Sequence, residues 1–584
     1  MKKPTIQGVS EKQAKPNIFG LLKPYKRMIS FLILFALISN GANLLLPIII
    51  ANGIDAYSKG HFIMKTIIIE FSVATCFIFF FTILQSIVQT YASEKVARDI
   101  RKKLSAKISR QSYAYIQKTS PSRLLTNLTS DIDSIKLFVS QAVVSITSSI
   151  FIIIGSCFML LKINWQLALP VIAIIPIIGG TFFIVLRKVR VLFKKSREII
   201  DWLNKVINES ILGSAIIRVL NSQQLESNKF LAANAKARDL GLSILMLFAT
   251  LIPIITFTAN LAQLTILALG GHFVITGKMT LGEFAAFNSY LYILIFPIII
   301  IGFMSNIIAQ ASASYERLTQ VLDATEPIET GTVEAGLQGN IELKDVTLLF
   351  GDKPALKNVT FSIKAGTNTA VIGPTAAGKS QLLYLLTALI KPDSGSVEFD
   401  GIDLDNYKKD SFHSQVGFVF QDSIMFNLSL RENIAFSNTV DDESLEKAIA
   451  TAELKDFIDA LPQKLDTLVS ERGSSLSGGQ KQRIMLARAL AINPKILLLD
   501  DFTARVDRQT EQKILCNLQN NYPDLTLISV TQKIAPVKHF EQIILLMEGE
   551  VIAKGTHKDL KDSCPEYAQI YNSQRSTSHY ELQS

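Results

Sequence analysis

Cysteine is scarce in this 584-residue chain: Cys76, Cys157, Cys516 and Cys564 are scattered, two of them inside apolar runs. No CxxC pair or metal-ligand spacing occurs, so neither a disulfide framework nor a zinc site is implied. Residues 1–20 are polar and basic and have no apolar stretch of the kind a cleavable leader carries, so no signal peptide is expected. Acidic charge is in deficit, with 50 Asp and Glu against 59 Lys and Arg, a net charge of +9. That excess does not read as a nucleic-acid footprint. The basic residues cluster beside apolar runs, in KPYKR (23–27), ARDIRKKLSAKISR (97–110) and RKVRVLFKKSR (187–197), while the gaps IDAYSKGH, KINWQ and HFVITGK carry few. Positive-inside orientation accounts for the asymmetry and places the N-terminus and the C-terminal part in the cytoplasm. No nucleic-acid partner is expected.

Apolar residues make up 48% of the chain and are unevenly spread; the mean hydropathy is +0.30. Up to about residue 320 there are runs such as TIIIEFSVATCFIFFFTIL and LALPVIAIIPIIGGTFFIVL. A spanning helix needs about 20 mostly apolar residues. Six such spans are read, around 27–53, 63–92, 136–161, 166–187, 241–271 and 281–310. The charged stretches between the second and third, and between the fourth and fifth, look helical, so long helices are expected to continue beyond the bilayer. Pro47, Pro170, Pro176, Pro253 and Pro297 lie inside or near spans, where kinks are tolerated.

Residues 322–338 are polar and aperiodic and read as a linker. After them strands alternate with helices, which argues for a largely parallel α/β sheet. IELKDVTLLF, NVTFSIKAG, TAVIG, KILLLD and LTLISV read as strands, and QIILLMEGEVIAKG as a hairpin turning on Glu-Gly.

TAVI runs directly into GPTAAGKS (373–380), which matches GxxxxGK[ST] in the strand–loop–helix setting the motif requires. Gly373, Pro374, Thr375, Ala376, Ala377 and Gly378 form the expected phosphate loop, whose available backbone N–H groups close around the phosphates. Lys379 would reach the β- and γ-phosphates, and Ser380 would ligate Mg²⁺. ILLLDD (496–501) is the matching strand, with Asp500 acting on the metal. ATP and Mg²⁺ are the expected cofactors.

Between these motifs lies LSGGQ (Leu476, Ser477, Gly478, Gly479, Gln480), followed by KQRIMLARAL. The pentapeptide resembles the signature of ATP-binding-cassette (ABC) proteins, and the resemblance covers the whole chain. VFQDSIMFNLSLRENI resembles that family's Q-loop region and places Gln421 near the metal and the attacking water. TLVSERG (467–473) resembles the X-loop of its exporters, and Phe350 stands where the family carries an aromatic ring against adenine. TLGEFAAFNSYLYILIFPI (280–298) resembles the entry to a sixth membrane helix. SPSRLLTNLTSDID (120–133) and NESILGSAIIRVL (208–220) resemble two cytoplasmic coupling regions.

The resemblance implies a half-transporter: an all-α membrane domain of six long helices fused to an α/β P-loop NTPase cassette with a helical subdomain. The expected boundaries are 1–26 for a cytoplasmic segment with an elbow helix, 27–320 for the membrane domain, 321–338 for the linker, 339–575 for the cassette and 576–584 for a tail. It also implies a second half-transporter as partner, because each ATP in that family sits between one cassette's phosphate loop and the other's LSGGQ.

The family pattern DEATSALD reads here as DDFTARVD (500–507). Asp501 stands in place of the glutamate that orients and deprotonates water, and Ala504-Arg505-Val506 in place of Ser-Ala-Leu. In SVTQK (529–533), Gln532 replaces the switch histidine. Lys379, Ser380 and Asp500 are untouched. The expectation is a chain that holds ATP at a slow site and lends its intact LSGGQ to a partner. This resembles the degenerate subunit of bacterial heterodimeric multidrug exporters. An active homodimer with tolerated variants is the competing reading, and an ATP-gated channel a more distant one.

Within the spans, Glu70 is ionisable and a functional candidate, although a long side chain near the outer end can reach headgroups. Gln85, Gln89, Asn260, Gln263, Asn288 and Asn306 add polar groups that commonly bond helix to helix. Glu70, Gln85 and Asn288 are the candidates for a substrate pathway. The 34 phenylalanines against two tryptophans suit an apolar, adaptable cavity for a hydrophobic or amphipathic cargo.

Overall fold

Polar and apolar stretches fold separately. The computed structural model describes residues 18–581 apart from 328, 352, 471 and 472. The first 17 residues of the expected N-terminal segment, Glu471 and Arg472 of TLVSERG, and the last three residues of the tail lie outside the described residues. The chain divides into two units. The first takes residues up to Arg110 together with Thr119–Thr325; the second takes Gln111–Lys118 and everything from Glu326 onward.

Among the described residues, the first unit contains six helices long and apolar enough to cross a membrane: α1 (Ile18–Ser58), α2 (Met64–Ser109), α3 (Pro121–Ile163), α4 (Trp165–Leu212), α5 (Gln223–Ile275) and α6 (Leu281–Leu322). Each extends past its apolar span, α2 to Ser109 and α4 to Leu212. The opening of α1, Ile18–Tyr25, is a 3₁₀ helix.

Helix contacts in this unit use small residues and hydrogen bonds, as they must where apolar burial gives little discrimination. A Cβ on Gly282 of α6 would stand 2.1 Å from the Ala51 carbonyl oxygen of α1. The Asp55 carboxylate of α1 accepts from Thr280 Oγ1 at 2.6 Å and from the Gly282 N–H at 2.8 Å. It thereby caps the start of α6, alongside a Thr280–Glu283 capping box. Tyr290, fully buried, donates to the Leu44 carbonyl at 2.6 Å. That contact is one residue from the carbonyl that Pro47 deprives of its helical donor.

The second unit departs from a single parallel sheet. Strands β1 (Ile341–Phe350), β2 (Lys353–Ile363), β4 (Ser394–Phe399) and β5 (Ile402–Asp403) form a separate sheet in the order β2-β1-β4-β5, and its pairings are antiparallel. The reason is local. Only a tight turn at Gly351, with φ of +65°, separates β1 from β2, and two strands joined that way pair antiparallel.

The second sheet runs β10-β9-β3-β8-β7-β6, built from β3 (Asn368–Ile372), β6 (Val416–Val419), β7 (Ile496–Asp500), β8 (Thr526–Thr531), β9 (Gln542–Met547) and β10 (Glu550–Gly555). It is parallel from β9 to β6, and only β10 is antiparallel. The β9–β10 hairpin turns on Glu548 and Gly549, both with positive φ, as a two-residue turn of matching twist demands. Strands β7 and β8 are buried at every position, which explains why they read as unbroken apolar runs.

The tip between α2 and α3 carries a short helix, Tyr113–Thr119. Its residues up to Lys118 belong to the second unit, whereas 120–133, the stretch expected to couple, lies in the first. Within the second unit the Tyr113 ring sits 5.5 Å from that of Tyr384.

Candidate nucleotide site

Four parallel strands point their C-terminal ends at one edge of the second sheet, where ligands of open α/β sheets gather. Each end delivers one of the residues singled out from the sequence: β3 runs into the phosphate loop, β7 ends at Asp500 and Asp501, β8 leads to Gln532, and β6 leads to Gln421.

The loop 373–378 bends as it does because side chains are excluded. A Cβ on Gly373 would meet the Leu546 carbonyl at 2.0 Å, and one on Gly378, at φ of +95°, the Ala355 carbonyl at 2.4 Å. Ala376 also sits at positive φ, +66°, without the freedom of glycine. Gly378 starts helix α7 (Lys379–Leu386), whose N-terminus faces back into the loop. Lys379 is buried, and its Nζ donates to the carbonyls of Gly373 and Pro374 at 2.9 and 2.7 Å. Burial holds its pKa below the usual lysine range, against the pull of Asp501 and Asp500.

Asp500 is 2% exposed and its Oδ2 has no hydrogen-bond partner. Burial raises its pKa; a hydrogen bond from Ser380 and the charge of Lys379 lower it, while Asp501 and Asp422 raise it further. A buried carboxylate oxygen left without a partner, beside a serine hydroxyl, is the donor set a small hard cation completes. Asp501 follows in the left-handed region, at φ of +46°, and its N–H donates to the Val530 carbonyl of β8 at 2.9 Å. Aspartate tolerates that conformation better than longer side chains, because its short polar group bonds locally.

Gln532 Nε2 donates to Thr375 Oγ1 of the phosphate loop at 3.4 Å. Gln421 is exposed just past β6. Phe350 is 77% exposed at the rim of the antiparallel sheet. That sheet flanks the phosphate loop through the Ala355 carbonyl against Gly378.

LSGGQ is built as a helix start. Ser477 caps α8 (Gly478–Leu490): its Oγ accepts from the Gln480 N–H at 3.2 Å, while the Gln480 side chain accepts from the Ser477 N–H at 2.8 Å. The two glycines leave room for Arg505. A Cβ on Gly478 would stand 3.1 Å from Arg505 Cδ, and one on Gly479 2.9 Å from the Arg505 carbonyl. In front lies a cavity of about 530 Å³ lined by Ser477 to Gln480, Arg483 and Arg505 to Asp507. No residue of the phosphate loop lines it. The two halves of the nucleotide machinery thus occupy separate places within one chain.

Among the membrane candidates, Asn288 accepts from Gln263 Nε2 at 2.6 Å, joining α6 to α5, and Gln89 donates to the Ser140 carbonyl of α3. These are helix–helix bonds. Glu70 is exposed in the second turn of α2, and Gln85 is half-buried further along it.

Two residues were not visible as site residues in the sequence. Gln574 bonds both Gln532 and Ile534. Arg488 bonds the carbonyls of Ile424 and Asn433 and lies over the rings of Phe426 and Phe436. Each reaches across 40 or more residues of sequence and carries no local signal.

Residues 29–298 match the family model for the ABC transporter transmembrane region, and residues 356–504 that for the ABC transporter. YfiB of Bacillus subtilis, described as an uncharacterized ABC transporter ATP-binding protein, is 32% identical over 95% of this chain and 98% of its own length. The ATP-dependent lipid A-core flippase of Syntrophus aciditrophicus is 28% identical over 84% of this chain and 82% of its own. A bacterial Atm1-family ABC exporter solved with ATP bound shares the fold, with a TM-score of 0.78 at 24% identity, over 94% of this chain and 98% of that one. Six apolar helices, the phosphate loop, a carboxylate-ended strand and a capped LSGGQ therefore stand in a chain that belongs to the ABC transporters, as an exporter half-transporter with one membrane domain fused to one ATP-binding cassette.

Proposed function

We propose that this chain is the specialised half of a heterodimeric exporter that moves amphipathic drugs, lipids or similar compounds out of the cytoplasm or the inner leaflet by alternating access. Its own phosphate loop holds ATP at a slowly hydrolysing site, and its LSGGQ completes the partner's site. The supporting observation is the pairing of Asp501 and Gln532 at the ends of adjacent strands β7 and β8, with Lys379, Ser380 and Asp500 intact beside them.

A carboxylate one methylene short loses roughly 1.5 Å of reach, and a misplacement of about 1 Å can cost on the order of 10²-fold. Losing a positioned base altogether costs about 10²–10⁴-fold. Gln532 can still donate an amide hydrogen bond to the γ-phosphate, but it cannot carry the histidine's charge or shuttle a proton. Binding groups therefore remain where hydrolytic groups are weakened.

Ser380, Asp500 and Gln421 would hold Mg²⁺, and the unpartnered Asp500 oxygen is available as a ligand. When bound, the ion neutralises charge on the β- and γ-phosphates. The separation of the signature cavity from the phosphate loop fits a dimer in which each site is shared. The basic clusters beside the spans favour a cell (inner) membrane protein with N-terminus and cassette cytoplasmic.

The test is the ATPase rate of the purified full-length chain with and without its partner half. Turnover near background alone, and strong turnover with the partner, is expected. Strong turnover from the chain alone, lost on Asp501→Asn, would identify an active homodimer instead.

A further inference from the structure

The C-terminal helix α9 (Pro565–Glu581) reaches the switch region. It is held down by Tyr567, fully buried, whose hydroxyl lies 2.8 Å from His557 Nδ1, and by Tyr571, whose ring meets the His557 ring at 4.9 Å. One turn beyond Tyr571, Gln574 directs its amide at residues 532–534. Its Nε2 donates to the Gln532 carbonyl at 2.7 Å, and its Oε1 accepts from the Ile534 N–H at 3.0 Å.

Residues 532–534 have just left β8, so these backbone groups have no ladder to join. A primary amide can supply donor and acceptor at once, which a carboxylate or hydroxyl cannot do with the same fixed spacing. Lys533 N–H, between them, is taken by Thr531 Oγ1 at 3.0 Å. The turn carrying Gln532 is thus fixed from both sides, and its side chain leaves on the face toward Thr375 of the phosphate loop.

We propose that Gln574 is a positioning residue for the nucleotide switch. By holding the 532–534 turn it aims the Gln532 amide at the γ-phosphate position and sets this site's preference for ATP over ADP. The inference rests on the reading above that Gln532 meets the γ-phosphate. Ordering the turn in advance removes a cost that binding would otherwise meet. ADP has no γ-phosphate for Gln532 to touch, so the benefit falls on ATP alone.

The experiment measures displacement of a fluorescent adenine nucleotide by Mg-ATP and by Mg-ADP from the full-length chain in lipid nanodiscs, with melting temperatures alongside. Gln574→Ala should weaken ATP binding about three- to tenfold, the size of one or two lost hydrogen bonds, and change ADP binding by less than about twofold. Gln574→Glu keeps the acceptor for Ile534 but sets a carboxylate against the Gln532 carbonyl, so it should reproduce the ATP loss. In a Gln532→Ala background, Gln574→Ala should leave the ATP/ADP ratio unchanged.

Equal weakening of ATP and ADP, or a change in melting temperature alone, would overturn the proposal and leave Gln574 a structural residue. So would a lower ATP/ADP ratio in Gln532→Ala with none in Gln574→Ala, an outcome that spares the switch reading. If Gln532→Ala itself leaves the ratio unchanged, the switch reading fails, and the proposal with it.

Discussion

Asp500, at the end of β7, has its pKa raised by burial and lowered by Ser380 at the start of α7, and Oδ2 of that carboxylate is buried without a partner. The fold thus holds a charge where burial opposes it. Asp500→Asn should therefore raise the melting temperature of the protein without nucleotide while abolishing the Mg²⁺ dependence of ATP binding. A melting scan and a Mg²⁺ titration of nucleotide affinity check both halves, and a lower melting temperature would contradict the first.

The phosphate loop carries two positive-φ residues that respond oppositely to substitution. Ala376→Gly removes a left-handed alanine costing about 1–2 kcal/mol and adds unfolded-chain freedom worth about 0.5–1 kcal/mol, so a small stabilisation of about 0–1.5 kcal/mol is expected. Gly378→Ala puts a Cβ 2.4 Å from the Ala355 carbonyl, and backbone must move. A loss of at least about 2 kcal/mol and of nucleotide binding should follow. Denaturant melts of the two variants make the comparison.

Much of this loop was legible in the sequence, since GPTAAGKS after TAVI fixes strand, loop and helix together. LSGGQ was legible as a motif, but its Ser477–Gln480 capping box needed the helix start to be seen. The largely parallel sheet was legible, but the separate antiparallel sheet was not, because strand–helix alternation dominates the cassette and the tight turn at Gly351 is a single-residue signal against it. The tip segment 111–118 was missed because short helices leave little periodicity. Gln574 and Arg488 act on partners remote in sequence, which no spacing rule reaches.

Arg488 links the signature helix to the segment after Gln421, bonding Asn433 O at 2.6 Å and Ile424 O at 3.1 Å. Burial pushes its pKa down to about 10. Arg488→Ala leaves the part-buried Asn433 carbonyl without its donor and removes the cation over Phe426 and Phe436, so a loss of about 2–4 kcal/mol is expected. Arg488→Lys should rescue little, because an ammonium lacks the planar fork. Equal stability of the lysine variant and the parent would contradict this.

His557 gives the cassette a pH response. Burial, with the charges of Lys561, Lys538 and His539, holds its pKa below the ordinary 6.5. The unfolded chain then takes the proton more readily, so the contribution is full above about pH 6.5 and is lost as pH falls toward the folded value. Replacing it, as in His557→Phe, should flatten the drop in melting temperature between about pH 7 and 5.5. An unchanged slope would show that other groups set it.

Division of labour between two ATP sites is the central claim, and turnover by the reconstituted heterodimer tests it most directly. A Glu→Gln change at the partner's catalytic position should abolish ATP hydrolysis, whereas Asp501→Asn in this chain should leave most of it. Loss of hydrolysis on Asp501→Asn, with the partner's variant still active, would contradict the account.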